Sequence, residues 1–205
     1  GTNIYYTLML KPDFSSDCAP MLTLVMALAV AKGIRQTLRR DSEEAAAKVG
    51  IKWPNDIVVD GKKVCGILTE MSMEQGYIQH IVIGVGINVR KQEFPEEIRD
   101  RAAAIDEQCG FRISRSQLIA DIMEAFEEDY EIFLRTHDLK GLRASYAELL
   151  VNQDREVCVL DPKGEYRGIA RGINDQGELL VERQDGTVEE VYAGEVSVRG
   201  IYGYV

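Results

Sequence analysis

The sequence predicts an α+β fold: a mixed, largely antiparallel sheet packed on helices, followed by a small β-barrel. Three observations lead there. Short β-prone runs separated by tight turn signals occupy residues 57–89, the pattern of a meander of hairpins. Two longer stretches, 20–40 and 114–136, carry helical patterning instead. After Val151 that patterning stops, and short runs alternate with glycine-containing turns, as in a small closed sheet. This divides the chain into units 1–151 and 152–205.

Each element has a local reason. Residues 3–11 (NIYYTLMLK) are aromatic and β-prone, and Pro12 ends the run. Pro20 suits the first turn of a helix reaching Arg40. The first half of that helix is apolar nearly all round, so it should be buried. Its last turns carry Arg35, Arg39 and Arg40, which complement the negative end of the helix dipole. Residues 43–48 read as a short helix within a polar connection. Strands follow at 57–60 and 64–71, turned by Asp60-Gly61, and at 77–89 after a Glu-Gln-Gly turn. Ser114 with Gln117 forms a capping-box pattern before an amphipathic helix to 136, whose apolar stripe runs from Leu118 through Phe126 to Phe133. In that helix Glu124, Glu127, Glu128, Asp129 and Glu131 read as a solvated face. A shorter helix is expected at 140–149. The final strands are expected in REVCVLD, EYRGIARGI, ELLVER and TVEEVYAG, parted by turns at Pro162-Lys163-Gly164, Asp175-Gln176-Gly177 and Asp185-Gly186.

Bulk properties narrow the function. With 205 residues, 45% of them apolar, the chain can bury a substantial core. The formal net charge of −10 argues against a general nucleic-acid binder, whose footprint is basic. A small anionic ligand stays open, because a few local lysines outweigh a distant net charge. Cys18, Cys65, Cys109 and Cys158 form no CxxC pair and read as reduced thiols of a cytoplasmic protein. The most apolar run, 21–31, is closed by Lys32 and is short for a membrane span. No membrane partner is expected. The chain opens Gly-Thr-Asn without Met or a signal-peptide pattern, and is read as part of a longer protein.

The polar groups of interest crowd into KWPNDIVVDGKKVCGILTE, residues 52–70. Pro54 forces an extended, non-helical lead-in to the next strand. Lys52 can face a phosphate as a compact charge. Asp56 can hold magnesium, and Asn55 can orient ligand oxygens. Lys62 reads as ordinary solvation. Lys63 is of interest if it faces the same pocket as Asp56; strict alternation puts Lys63, Cys65 and Ile67 on one face and Val64, Gly66 and Leu68 on the other. Gly66 in mid-strand marks the close approach of a ligand or of another backbone. Gly84 and Gly86, ahead of Asn88, lack the third glycine and the helix of a dinucleotide fingerprint; they suit a wall against which a flat ligand lies. His80 and His137 have no partner at a telling spacing, so no catalytic triad is read.

These motifs, followed by IVIGVGINV and a C-terminal AGEVSVR, resemble the biotin–protein ligases, also called biotin–[acetyl-CoA-carboxylase] ligases, from Asn3 to the end. The resemblance implies a class II synthetase-like catalytic domain followed by an SH3-like barrel. It implies that biotin attacks the α-phosphate of ATP to give biotinyl-adenylate, and that a lysine of a biotin carboxyl carrier domain then takes the biotin. By the same resemblance, Lys63 lies between the biotin carboxylate and the α-phosphate, and Lys52 meets the outer phosphates. Asn55, Asp56 and Asn88 surround ATP and its Mg2+, the last two as metal contacts. Gly66, Leu68, Gly84 and Gly86, with Lys63, form the biotin site. The family's Gly-Arg-Gly-Arg-x-Gly-Arg loop does not occur in the sequence, so the family's sheet is expected to be incomplete. DNA contact is expected only through an upstream helix-turn-helix of the kind some members use for repression. A homodimer is expected through edge pairing of strand 64–71 or strand 77–89. The alternatives are a lipoate–protein ligase, against which KWPND and the terminal barrel weigh, and a biotin-sensing module without turnover.

Overall fold

The computed structural model describes residues 1–161, 164–193 and 197–200. Strand β1 (Ile4–Leu10) leads through a 3-10 turn, Ser16–Cys18, into helices α1 (Met21–Arg39) and α2 (Glu43–Ala47). Strands β2 (Val49–Lys52), β3 (Asp56–Val59), β4 (Lys62–Glu74) and β5 (Tyr77–Ile87) follow. Helices α3 (Ile105–Cys109), α4 (Arg115–Thr136) and α5 (Arg143–Leu149) come next. Strands β6 (Glu156–Leu160), β7 (Tyr166–Ile173), β8 (Leu179–Glu182), β9 (Val188–Val191) and β10 (Ser197–Gly200) end the described chain.

The first sheet has the order β1-β5-β4-β3-β2, antiparallel throughout. Asp60 and Gly61 both take positive φ, 51° and 74°, as a two-residue hairpin turn requires. Gln75 and Gly76 repeat the device at the β4–β5 turn. One sheet face is apolar and buried: Ile57, Cys65, Ile67, Ile83, Val85 and Ile87. It packs on α1, which contacts β2, β3 and β4 and, on its far side, α4. The two helices approach closely at Gly33, where an added Cβ would stand 2.7 Å from the Ile122 Cα.

Helix α1 with its lead-in, Ser16–Arg39, is long and apolar enough to cross a membrane by length and composition, contrary to the reading of its most apolar run. It is mostly buried against the sheet and α4, the setting of a core helix.

Three expectations change. Strand β2 and helix α3 were not foreseen; both are short, and β2 is held by burial of all its residues rather than by any local signal. Asp129 is not on the solvated face of α4. It is fully buried and pairs with Lys32 of α1 at 2.5 Å, because its position continues the stripe that faces α1. Nor are β4 and β5 edge strands: they occupy the sheet interior, flanked by β3 and β1. Open sides remain only toward the β4–β5 turn, since the pairing of β4 with β3 spans Lys62 to Gly66 and that of β5 with β1 spans Ile81 to Ile87.

The second sheet runs β10-β6-β7-β8-β9, again antiparallel. Val157, Val159, Ala170, Leu179, Val181 and Val198 bury its apolar side. Among the described residues no ladder joins β9 to β10. Of the AGEVSVR motif, residues 194–196 lie outside the described residues, as do Pro162 and Lys163 of the expected turn.

Candidate active site

The unpacked face of the first sheet carries the site. Register pairing places one residue from each strand in a single row: Lys52 opposite Asp56, Asp56 opposite Gly66, Gly66 opposite Gly86, and Gly86 opposite Tyr5. Residues in register point to the same face. The row therefore has charge at one end, an aromatic ring at the other and bare backbone between them. The Tyr5 ring leans over Gly86, with two of its carbons 3.4 Å from where a Cβ would sit. Gly84, opposite Leu68 and Thr7, continues the floor. Without side chains there, a flat ligand can rest on the strands themselves.

Lys63 reaches this row through an irregularity. Pairing of β3 with β4 shifts, so that Ile57 faces Cys65 while Val58 faces Lys63, leaving Val64 as an extra residue. A bulge of this kind re-aims the following side chains. Strict alternation therefore fails here: Lys63 shares a face with Gly66 and not with Cys65. An added Cβ on Gly66 would stand 3.2 Å from both Cε and Nζ of Lys63. The Lys63 backbone is clamped from outside the hairpin: its N–H donates to the Arg101 carbonyl at 2.7 Å, and its carbonyl accepts from Ala103 N–H at 2.9 Å. The Lys63 ammonium meets Asp56 at 2.5 Å, and the Lys52 ammonium lies 4.0 Å from the same carboxylate. Lys52 and Asp56 are buried, whereas the Lys63 side chain is 39% exposed. Lys63 is thus the charge a ligand can reach. Cys65 points into the core; burial, with Asp56 nearby, pushes its thiol up and keeps it protonated.

Two hollows adjoin the floor. One, of about 520 Å³, is lined by Tyr5, Lys63, Asn88, Phe94, Ile98 and Arg101. The other, of about 290 Å³ and more apolar, is lined by Leu68, Asn55, Ile67, Thr23 and Met71. Gly84 and Gly86 lie on the open face of β5 and Asn88 directly follows the strand, with Asn88 lining the larger hollow and Gly84 opposite Leu68 of the smaller.

The expected residues therefore gather on one face but do different work. Asn55 ties the β2–β3 connection to β4: its Nδ2 donates to the Ile67 carbonyl at 2.8 Å, and its own carbonyl accepts from Ile67 N–H at 3.1 Å. Its backbone sets the hairpin, and its side chain lines the smaller hollow. The magnesium expected at Asp56 and Asn88 finds no resident donor set. Asp56 is already met by two ammonium groups, and the Asn88 Oδ1 accepts from Gln92 Nε2 at 3.3 Å. Among the described residues no group of three or more His, Cys, Asp or Glu could hold a metal ion. Tyr5, Phe94, Ile98 and Arg101 were not anticipated. Tyr5 had a signal, the parity opposite to apolar Ile4, Tyr6 and Leu8; the others lie in a polar connection with no periodicity. His80 and His137 stand apart from the site, His137 capping α4 and packing on Phe14 and Phe133.

Chemically, the arrangement offers an accessible ammonium held beside a bare floor between a larger hollow of mixed polar and apolar lining and a smaller, more apolar one. It suits a ligand with an apolar part and an anionic part, and a second anion brought to the same ammonium.

Residues 1–88 match the model of the biotin/lipoate A/B protein ligase family, and residues 154–199 match the biotin protein ligase C terminal domain; together these cover most of the chain. The bifunctional ligase/repressor BirA of Bacillus spizizenii is 35% identical over 97% of this chain and 59% of its own length. This chain thus spans 59% of that relative. The biotin–[acetyl-CoA-carboxylase] ligase of Paracoccus denitrificans is 26% identical over 94% of this chain and 80% of its own. The biotin protein ligase from Aquifex aeolicus in complex with biotin and ATP superposes with a TM-score of 0.78 at 26% identity, covering 97% of this chain and 79% of that one. Both sheets fall almost entirely within these matches, and the lysine-edged glycine floor lies in the first sheet within the first matched segment: the chain belongs to the biotin protein ligase family.

Proposed function

We propose that this chain is the catalytic and C-terminal portion of an enzyme that joins biotin to a lysine of a biotin carboxyl carrier domain, with ATP as the activating substrate. The observation that carries the reading is Lys63, hung over Gly66 by a bulge and held 2.5 Å from Asp56. Biotin lies on the floor of Gly66, Gly84 and Gly86 with its apolar part toward Leu68. The triphosphate enters the hollow lined by Asn88 and Arg101, with Lys52 behind it, while Asn55 approaches from the smaller hollow. The biotin carboxylate and the α-phosphate are both anions, and the Lys63 ammonium lowers the cost of their contact. The carboxylate oxygen then bonds to the α-phosphorus and pyrophosphate leaves. The carrier lysine subsequently attacks the acyl carbon and AMP leaves. Magnesium would come with the triphosphate and offset its charge, and Asp56 and Asn88 are the residues of this chain that would meet it.

Three further readings belong with this one. The boundary falls at 151/152, and the second unit is an SH3-like barrel. The enzyme is cytoplasmic, in keeping with its free cysteines. It forms a homodimer through the open side of distal β4, where Met71 and Met73 are exposed.

The test is ATP–pyrophosphate exchange by the full-length protein. Exchange that depends on biotin supports the reading. Exchange driven by lipoate and not by biotin replaces it with the lipoate alternative. Biotin binding in calorimetry without any exchange leaves a sensing module.

A further inference from the structure

The chain has one tryptophan, Trp53, in the connection between β2 and β3. Its ring is 2% exposed, and its indole N–H donates to the Gly177 carbonyl at 2.9 Å, across 124 residues of sequence. Gly177 lies in the turn between β7 and β8 of the second sheet. That turn is stiff. Asn174 Oδ1 accepts from the N–H groups of Gln176 and Glu178 at 3.0 Å each, and Asn174 N–H donates to the Glu178 carbonyl at 3.0 Å. Gly177 has φ +83°, a conformation other residues rarely adopt, and an added Cβ would meet Leu139 at 2.9 Å and Leu24 at 3.0 Å. The turn is also bolted to the helical layer: Leu139 N–H donates to the Asp175 carbonyl at 2.8 Å, and Arg143 pairs with the Asp175 carboxylate at 2.8 Å.

The charges stand within a few residues of the ring along the chain. Lys52 precedes Trp53 and is the register partner of Asp56, so the short connection between them fixes their separation. Asp56 in turn holds the Lys63 ammonium. The connection is pinned from one further point, where the Tyr146 hydroxyl donates to the Pro54 carbonyl at 3.4 Å. We infer that Trp53 is a positioning residue through which the β7–β8 turn of the second sheet sets the Lys52–Asp56 pair. Its catalytic consequence rests on the ligase reading given above, with the second sheet acting on ATP affinity without touching ATP.

The experiment replaces Trp53 in the full chain in two ways: Trp53→Phe, and substitution of the indole by the isosteric benzothienyl side chain, which keeps the volume and removes the N–H. The second keeps the test decisive if the first does not fold. Acetylation by limiting acetic anhydride, with exposed Lys62 as internal reference, reads the position of Lys52 directly. Relative Lys52 labelling should rise about fivefold in protein that remains folded by circular dichroism, in line with a buried carbonyl losing its donor. In biotin-dependent pyrophosphate exchange, KM for ATP should rise about tenfold with kcat within about twofold, a loss of binding common to ground and transition states. Unchanged Lys52 labelling in folded variants overturns the inference, as does an unchanged KM with only a lowered Tm. If wild-type protein shows no exchange, the ligase reading fails while the Lys52 labelling still decides the role of Trp53.

Discussion

Lys63 shows how much a single backbone irregularity can decide. An ammonium on an alternating strand would have pointed with Cys65 toward the core, where an unpaired charge costs several kcal/mol. The extra residue at Val64 turns it outward, onto Gly66 and beside Asp56. Because the side chain is 39% exposed, its pair with Asp56 adds little to stability. Lys63→Ala should therefore leave the urea midpoint close to wild type. Biotin-dependent pyrophosphate exchange should fall by roughly 10²–10³, the usual loss when one transition-state charge contact is removed. Wild-type exchange rates in that variant would remove Lys63 from the reaction.

At the scale of elements, α1 and α4 are locked together by buried carboxylates of opposite behaviour. Burial alone would raise the Asp121 carboxyl, but hydrogen bonds from Arg40, Thr37 and Gln117 outweigh it and hold it below the ordinary carboxylate value. Asp129 is raised, because burial outweighs its bond to Lys32. The signs follow. A lowered folded value contributes stability that is present above about pH 4 and lost as pH falls through that lowered value. A raised folded value contributes in the opposite sense: its contribution is present below about pH 4 and lost as pH rises through the raised value. Asp121→Asn should cost about 2 kcal/mol at pH 7, since Arg40 can turn to water but the Thr37 hydroxyl and Gln117 amide lose their anion. The gap from wild type should hold down to about pH 4 and narrow only below it. Asp129→Asn should cost less at pH 7 than Asp121→Asn. Urea unfolding of the three proteins at pH 7 checks the order, and a series continued below about pH 4 checks the sign.

At the scale of the whole molecule, the β4–β5 hairpin projects past its neighbours in the first sheet. Strand β1 pairs with β5 only from Ile81 to Ile87, and β3 pairs with β4 only from Lys62 to Gly66. Met71, Met73 and Tyr77 are exposed on that projection. An apolar half-strand with an unpaired side is a template for another strand. Sedimentation equilibrium of the full-length protein should show a dimer, and Met71→Lys combined with Met73→Lys should shift it to monomer. A wild-type monomer at all micromolar concentrations would show that the hairpin serves another purpose.

By itself the sequence determined the elements whose signals are local. The Asp60-Gly61 turn, the Ser114 cap with its Oγ accepting from Gln117 N–H at 3.3 Å, and the apolar stripe of α4 each depend on neighbours a few residues away. It also singled out the lysines and glycines of the motif, which have no use in an ordinary hairpin and which the fold gathers on one open face. Only the tertiary structure decided how they meet. The face of Lys63 depends on a bulge set by pairing with β3 and by the Arg101–Ala103 backbone. The burial of Asp129 depends on α1, and the role of Trp53 on a turn 124 residues away. Contacts between distant segments leave no period in the chain, so they become visible only once the chain has folded.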